Sequence, residues 1–328
     1  YKEYYISKTC LHKPGESDKK AKYTAVSFDG KGVPMIKKEA AKIKGRQGKG
    51  QKRQKKKESL VGAKYNINPN IRTADEVAVN LVYPEKKEEI KGEKKLEKAH
   101  NIRYIASIAE PKAEVMDEIY EEVKDTDFSQ EPLLCLMDGA SYLWTQLKTV
   151  FKDIENKVYI LDIIHVLEYI WIIAHIMFKE GSEDSKAYVF EKLKLILEGN
   201  IASYIIELQT EMQSDKWNKE SYQKKIKKAI TYFKNHQQYM KYDEYLSKGY
   251  PIGTGVVESA CSHVVKDRME LSGARWGING AESILRLRSI SKSNDWDDYW
   301  DFFTSNTKNN EFFPDDYNSF DIKEKLYA

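Results

Sequence analysis

The spacing of hydrophobic and polar positions predicts five strands in the first half of the chain. Most of these segments alternate β-branched or aromatic residues with polar ones, but the segment before Asp138 is wholly apolar. A wholly apolar strand is typical of the middle of a sheet that is covered on both faces. The predicted strands are one within Lys22–Met35 that ends at Asp29-Gly30, then Glu58–Ile67, Asn101–Ile108, the apolar strand within Glu131–Trp144, and one that begins at Lys157 and turns helical near Asp162.

Helical periodicity dominates the second half. Apolar residues recur at helical spacing from about Val166 to Ser247, without any strand signal. Arg72–Tyr83 has a capping start and predicts a short helix, although its pattern also allows a strand. Other predicted helices are Pro111–Lys124, one from about Ser141, one that carries Glu258, and Ile278–Ile290. The order of elements is that of an antiparallel hairpin meander joined to βαβ units, which predicts an α/β fold with a mixed sheet and helices on both faces.

Composition narrows the class of protein. The chain has 328 residues and 41% hydrophobic residues, enough for one large domain or two ordinary ones. It contains no apolar run of the roughly 20 residues that a membrane span needs. Its cysteines, Cys10, Cys135 and Cys261, are scattered without a CxxC pair. This usage indicates a reducing compartment and argues against a structural zinc site.

A basic tract interrupts the predicted hairpin between its two strands. From Lys37 to Glu58 there are 11 Lys or Arg residues among 22, against 2 acidic ones, although the net charge of the chain is only +3. Such a tract can be a solvated loop or a localisation-like signal. It is also suited to binding DNA phosphates by releasing counterions. The second interpretation makes Lys52, Arg53, Lys55, Lys56 and Lys57 candidate DNA-binding residues.

Three carboxylates are candidates for one metal site. Asp29 and Asp138 each precede a glycine where a predicted strand ends, so neighbouring strands would bring them together. Side-by-side carboxylates repel and are usually tolerated because they share a cation, and oxygen ligands suit Mg²⁺ or Mn²⁺. Glu258 alone is explained by the helix dipole, since it lies near a helix start. As a third ligand it would complete a pair of metal sites roughly 3.5–4 Å apart, which is the geometry for phosphoryl transfer.

Four segments around these acids carry a family resemblance. They read SFDGKGVPM, MDGASYLW, LDIIHVLEYIW and, most specifically, YPIGTGVVESACSHVVKDRMELSGARW, the last from Tyr250 to Trp276. The chain resembles the bacterial insertion-sequence DDE transposases, closest to the ISKra-type family, from about Tyr23 to Trp300. The resemblance implies that Asp29, Asp138 and Glu258 are the catalytic triad and hold two Mg²⁺ or Mn²⁺ ions.

The same resemblance implies an organisation into domains. It implies an RNase H-like catalytic domain with a helical insertion between its last strand and the helix of the third acid. The boundaries are then 1–165 for the first part of the catalytic domain, with the basic hairpin loop at 37–57, 166–247 for the helical insertion, 248–304 for the last part and 305–328 for a C-terminal tail.

Further site residues follow from related transposases, in which a Cys- or Asp-x-x-His signature lies between the second and third acids. Asp162 and His165 match it, and the resemblance implies that His165 contacts a phosphate or orients a nucleophile. On residue patterns alone, Asp162 can equally cap a helix and His165 can pack in the core. Lys266 and Arg268 can contact DNA phosphates or simply face solvent. A regular helix would place Lys266 on the face of Glu258.

The function that the sequence predicts is metal-dependent cleavage at transposon ends and strand transfer into target DNA. The predicted partners are double-stranded DNA at both the ends and the target, and further copies of the chain when DNA is bound. The predicted location is the bacterial cytoplasm, at the nucleoid when the protein is bound to DNA. Two alternatives stay open: an RNase H-like nuclease or resolvase without strand transfer, and a domesticated DNA-binding protein without activity.

Overall fold

The computed structural model describes residues 1–11, 21–43, 55–86, 98–214 and 217–309. Its first helix, α1 (Lys2–Leu11), precedes a sheet whose strands are β1 (Tyr23–Pro34), β2 (Lys56–Ile67), β3 (His100–Ser107), β4 (Leu133–Met137) and β5 (Lys157–Leu161). Between the strands lie helices α2 (Lys37–Ala40), α3 (Ala74–Val82), α4 (Lys112–Tyr120) and α5 (Ser141–Val150), with a 3₁₀ turn at Pro84–Lys86.

Helices follow the last strand. They are α6 (Ile163–Met177), α7 (Glu183–Leu197), α8 (Ile201–Glu211), α9 (Glu220–His236), a 3₁₀ turn at Gln237–Tyr239 and α10 (Tyr242–Lys248). Then come α11 (Gly255–Ala260), a π-helix (Cys261–Lys266), α12 (Asp267–Met269), α13 (Ile278–Lys292) and α14 (Trp296–Asn309). As expected, the described residues from 166 to 247 contain helices and no strand. No helix in the described part of the chain combines the length and the apolar character that crossing a bilayer requires.

The sheet is mixed, as the element order predicts. Its strand order is β3-β2-β1-β4-β5. The pairs β1–β2 and β2–β3 are antiparallel, whereas β1–β4 and β4–β5 are parallel. Each parallel connection runs through helices, because two parallel strands cannot be joined by a tight turn. The carboxyl ends of β1, β4 and β5 consequently lie along one side of the sheet.

The sheet carries helices on both faces. Adjacent residues of a strand point to opposite faces. On β1, the ring of Phe28 packs edge-on against Phe151 at the end of α5, with 6.2 Å between ring centroids. The next residue, Asp29, accepts a hydrogen bond from the thiol of Cys261 in the π-helix. The five-stranded sheet is therefore a central layer between helices, which confirms the α/β prediction at this level.

The prediction that the first strand ends at Asp29-Gly30 is wrong. β1 continues to Pro34, because β2 pairs with it residue by residue from Tyr23↔Ile67 to Pro34↔Lys56. What ends near Asp29 is only the pairing with β4, whose last partners are Phe28 and Met137. Gly30 forms no turn, and a Cβ there would meet only the carboxyl end of the exposed Glu58 side chain, which can move aside.

Two local predictions concern segments between strands. The segment Arg72–Tyr83 is helical rather than extended, and α3 begins with a capping box in which Thr73 and Glu76 bond each other's backbone N–H groups. The basic tract does join β1 to β2 as a hairpin, with α2 at its start. Lys52 and Arg53 lie outside the described residues. The same is true of most of the polar segment 85–98 and of residues 310–328 in the predicted tail.

Candidate active site

Three aspartates form a row across the carboxyl side of the parallel strands. The pairing of β1 with β4 ends at Phe28↔Met137, and that of β4 with β5 ends at Met137↔Leu161. The next residue on each strand is an aspartate: Asp29, Asp138 and Asp162. Neighbouring strands are about 4.8 Å apart, and residues in register point to the same face. The sheet therefore presents three carboxylates side by side.

Asp162 is the most enclosed of the three. Its carboxylate is fully buried and accepts hydrogen bonds from the Ile164 N–H at 3.1 Å and the Thr254 hydroxyl at 2.9 Å, and it lies 2.9 Å from Nδ1 of His165. It caps α6 and pairs with His165 at the same time. Burial alone would raise the pKa of Asp162, but the bonds from His165, Ile164 and Thr254 outweigh burial and lower it.

His165 is the cationic partner in this arrangement. It lies in the first turn of α6, and its side chain is 35% exposed. The hydrogen bond to Asp162 raises the pKa of His165 to about 9, against the opposing effect of partial burial. At neutral pH the imidazole is consequently protonated, with Nε2 left as a second donor. The Asp-x-x-His pattern thus forms a helix cap and a charged pair together.

Glu258 joins the group through Thr254. The Thr254 hydroxyl oxygen lies 2.9 Å from both Asp162 Oδ2 and Glu258 Oε1, but it has only one proton to donate. Burial raises the pKa of Glu258, the charge of Asp162 adds to this, and the Thr254 bond opposes it. Ligand atoms of Asp162, His165 and Glu258 all lie within 4.8 Å of one another. The carboxylates therefore favour a proton or a cation between them.

Asp138 lies in the middle of the row. One of its oxygens accepts the Ala140 N–H at 3.0 Å, which turns the chain into α5. Burial raises the pKa of Asp138, and the charges of Asp29 and Asp162 add to it, against the Ala140 bond and the charge of His165. The charges of Asp29 and Asp162 thus destabilise the ionised form of Asp138, as expected for a ligand of a shared cation.

Asp29 meets the helix that carries Glu258. Its Oδ2 accepts the Cys261 thiol at 3.2 Å, and its Oδ1 accepts the Gly30 N–H at 2.6 Å. Burial raises the pKa of the Cys261 thiol, and the charges of Asp29 and Glu258 raise it further. Both carboxylates therefore lie near this one sulfur atom. The structure thus places Asp29, Asp138 and Glu258 at the same end of the sheet as Asp162 and His165, near enough for their charges to act on one another or on Cys261.

The helix of Glu258 is not regular. Val257 and Ala260 are buried in α11, but the chain continues from Cys261 to Lys266 as a π-helix. A π-turn holds more residues than an α-turn, so the regular spacing that placed Lys266 on the face of Glu258 does not apply beyond Ala260. Such turns are frequent at functional sites.

Several basic residues surround Glu270, which follows the π-helix. Lys56 forms an ion pair with Glu270, which lowers the pKa of Glu270, and the charges of Lys31 and Lys266 contribute to this. The charge of Lys31 also lowers the pKa of the Cys261 thiol, against the larger effect of burial. Lys55 is exposed and Lys57 is half-buried at the start of β2, while Arg268 stacks over the Trp276 ring with 5.3 Å to its centroid.

Two residues of this site, Thr254 and Tyr232, are not among those predicted from the sequence. Thr254 lies four residues before Glu258 within the PIGTG segment, and a hydroxyl one helical turn before a candidate ligand is a pattern that predicts a contact between the two side chains. Tyr232 comes from α9, and its ring lies against Gly139 beside Asp138. Only the folded chain brings it there. Neither protein-family models nor curated proteins nor solved structures give a match to this chain.

The His165–Asp162 pair predicts a pH-dependent stability of the metal-free protein. The pKa of His165 rises from 6.5 to about 9 on folding, so the pair stabilises the fold fully below about pH 6.5. This stabilisation is lost as the pH rises through about 9. After allowance for solvent screening of a side chain that is 35% exposed, we expect the loss to be about 1–2 kcal/mol.

The measurement is urea unfolding in EDTA at several pH values between 6 and 10, for the wild type and His165→Gln. Glutamine keeps a hydrogen-bonding group near Asp162 but cannot titrate. The difference in unfolding free energy between the two proteins should shrink as the pH rises. A difference that stays constant over this range would contradict the assignment of the charged pair.

Proposed function

We propose that this chain is the catalytic region of a DNA transposase of the insertion-sequence DDE type with an RNase H-like fold. The observation that carries the proposal is the row of Asp29, Asp138 and Asp162, with Glu258 and His165 against it. The fold is consistent with the resemblance: an antiparallel meander continues into a parallel part, and a helical block separates β5 from α11. The block corresponds to the insertion that the resemblance implies.

The donor set fits a pair of hard divalent cations. Asp29, Asp138 and Glu258 would hold Mg²⁺ or Mn²⁺ through oxygen atoms, and water would complete the coordination. The fit is supported by the raised pKa values of Asp138 and Glu258, because both carboxylates are destabilised in their charged form when no cation is bound. When bound, the ions would activate the attacking oxygen and neutralise charge on the phosphate.

Asp162 and His165 have a different role from the triad. Three residues, Ile164, His165 and Thr254, already donate to the carboxylate of Asp162, so it positions His165 and Thr254 rather than serving as a free ligand. The protonated His165 can donate from Nε2 to a non-bridging phosphate oxygen. This contact would hold the scissile phosphate against the carboxylates.

The proposed reaction consists of two in-line displacements at phosphorus. In the first, a water oxygen forms the new P–O bond, the P–O3′ bond at the transposon end breaks, and the 3′ oxygen leaves as a hydroxyl after gaining a proton. In the second, the oxygen of this 3′-hydroxyl loses its proton and forms a new bond to a phosphorus of the target DNA, the P–O3′ bond at that phosphorus breaks, and the target 3′ oxygen leaves as a hydroxyl after gaining a proton. Both displacements use the same carboxylates, so no covalent protein intermediate is needed.

A strand-transfer assay tests the proposal. Labelled duplexes from the DNA that flanks the coding region are incubated with the protein, a target plasmid and Mg²⁺, Mn²⁺ or EDTA. We expect metal-dependent nicking followed by joining of label to the plasmid. Nicking without joining would favour the nuclease or resolvase alternative, and DNA binding without nicking would favour the inactive DNA-binding protein.

The basic tract predicts salt-dependent DNA binding. Replacing Lys55 and Lys57 by Gln should weaken binding to all duplexes alike, because phosphate contacts carry no sequence information. The log–log salt slope should fall by roughly 0.9 for each phosphate that the variant no longer neutralises. Lys56 is left intact because it pairs with Glu270.

The measurement is fluorescence anisotropy of duplex binding between low and moderate salt. The matched control is Lys98→Gln with Lys152→Gln. Both lysines are exposed, and they precede β3 and β5 at the end of the sheet opposite to Lys55 and Lys57. If both double variants keep the slope of the wild type, the tract does not contact DNA. Extending the replacement to Lys52 and Arg53 should flatten the slope further.

A further inference from the structure

A basic groove lies on the helical block, outside the group of carboxylates. It is an open groove of roughly 420 Å³ between α6 and α9. Lys224, Lys227 and Lys228 line it at helical spacing from α9, and Tyr169 lines it from α6. All three lysines are exposed, and no ion pair joins them to an acid among the residues that the structure describes. Their charges are therefore available to an external anion.

Aromatic contacts hold this groove in place. The Tyr232 ring of α9 stacks on the Tyr169 ring of α6, with 4.1 Å between centroids and 20° between planes. Lys228 lies over the Tyr169 ring at 5.7 Å from its centroid. Since α6 starts at the cap formed by Asp162, the lysines are fixed relative to the carboxylates rather than carried on a separate loop.

Tyr232 connects the groove to the carboxylates. A Cβ on Gly139 would lie 2.9 Å from the Tyr232 hydroxyl oxygen, so this oxygen is next to the Asp138-Gly139 turn. The oxygen is buried and has no hydrogen-bond partner among the described residues. Burial raises the pKa of Tyr232, and the charges of Asp138 and Asp162 add to this. The hydroxyl is a protonated donor that lacks an acceptor.

These observations share one explanation. A nucleic-acid strand offers a series of phosphates for the exposed lysines, and it offers a phosphate oxygen as acceptor for the buried hydroxyl once the Tyr232 ring shifts toward the groove. We propose that the groove between α6 and α9 binds the phosphate backbone of the DNA strand that continues from the scissile phosphate, and that Tyr232 donates to a phosphate oxygen where the groove meets Asp138. The inference deepens the proposed function and depends on it for the identity of the strand.

The first test measures binding alone. A fluorescein-labelled DNA duplex is titrated in EDTA at several salt concentrations against the wild type and against Lys224→Gln with Lys228→Gln. Lys225→Gln with Lys234→Gln is the matched control, because both lysines are exposed on the same helix but do not line the groove. We expect the log–log slope to fall by about 1.8 in the groove variant. The control should keep the slope of the wild type.

Equal slopes for the two double variants would overturn the inference. A groove-dependent preference for an RNA duplex of the same sequence would also overturn it, because the strand would then not be DNA. These outcomes are separate from failure of the proposed function. Wild-type protein that binds DNA through the groove but does not cleave it with Mg²⁺ would refute the transposase proposal and leave the groove assignment supported.

The second test concerns the hydroxyl of Tyr232. Tyr232→Phe removes an oxygen without a hydrogen-bond partner in the described chain, so the melting temperature should not fall. Cleavage with Mg²⁺ should slow by about tenfold, the effect of removing one hydrogen bond to a charged group, while duplex affinity changes little. Cleavage at the wild-type rate would show that the hydroxyl does not contact the reacting phosphate.

Discussion

Asp138→Asn is expected to abolish DNA cleavage and at the same time to stabilise the metal-free protein. Asp138 is half-buried beside Asp29 and Asp162, and burial together with the charges of these neighbours raises its pKa. Asparagine keeps the oxygen that accepts the Ala140 N–H but removes the negative charge. Without a cation, relief of repulsion should increase the unfolding free energy by about 1 kcal/mol.

The same substitution should raise the activation free energy of DNA cleavage by several kcal/mol, because it removes a charged ligand of the proposed metal pair. This corresponds to a rate decrease of more than about 10³-fold. The measurements are nicking of a labelled duplex with Mg²⁺ and urea unfolding in EDTA. Asp153→Asn is the control, since Asp153 is exposed and precedes β5 on the opposite side of the sheet. Cleavage close to the wild-type rate would refute the assignment of Asp138.

Gly139→Ala is expected to disturb both stability and cleavage, although it adds a single methyl group. A Cβ at this position would lie 2.9 Å from two atoms of the Tyr232 side chain, its Cζ and its hydroxyl oxygen. The stacking of Tyr232 on Tyr169 restrains its ring. Overpacking of this kind costs about 1–3 kcal/mol. Because Gly139 follows Asp138 directly, a displacement of that turn should also slow cleavage by about 10²-fold.

A second substitution separates the two effects. Adding Tyr232→Leu to Gly139→Ala should recover stability, because the smaller side chain leaves room for the new methyl group. The coupling between the substitutions should be about 1 kcal/mol or more in a double-mutant cycle. Cleavage should not recover, since the hydroxyl of Tyr232 is missing. Strictly additive losses of stability would mean that the methyl group meets no obstacle at Tyr232.

Strands and helices could be predicted where the spacing of apolar residues within a short segment determines them. Alternation identified β2 and β3, the apolar segment identified β4 in the middle of the parallel part, and helical spacing identified the block after β5. The end of β1 was not predictable, because its length depends on pairing with β2 across the basic tract. Asp29 therefore appeared to end a strand, when it only ends the contact with β4.

The site was predictable only in part. The residues that converge could be chosen from acids at strand ends and from the resemblance, because carboxyl ends of parallel strands meet on one side of a sheet. The contacts that position these side chains and shift their pKa values join chain segments that are far apart in sequence. Thr254 reaches Asp162 across 92 residues, and Tyr232 reaches Gly139 from the helical block. The π-helix after Ala260 likewise has no signal in a pattern of 3.6 residues per turn.

The position of the helical block also affects when the carboxylates can assemble. Thr254 and Glu258 follow the 92-residue span that begins at Asp162, so a growing chain completes the sheet long before it completes the set of acids. Closing so long a segment has an entropic cost, and contacts across it form late in folding. A nascent or truncated chain would present the three aspartates without Glu258, and any nuclease activity would be withheld until Glu258 has been synthesised and packed against the sheet.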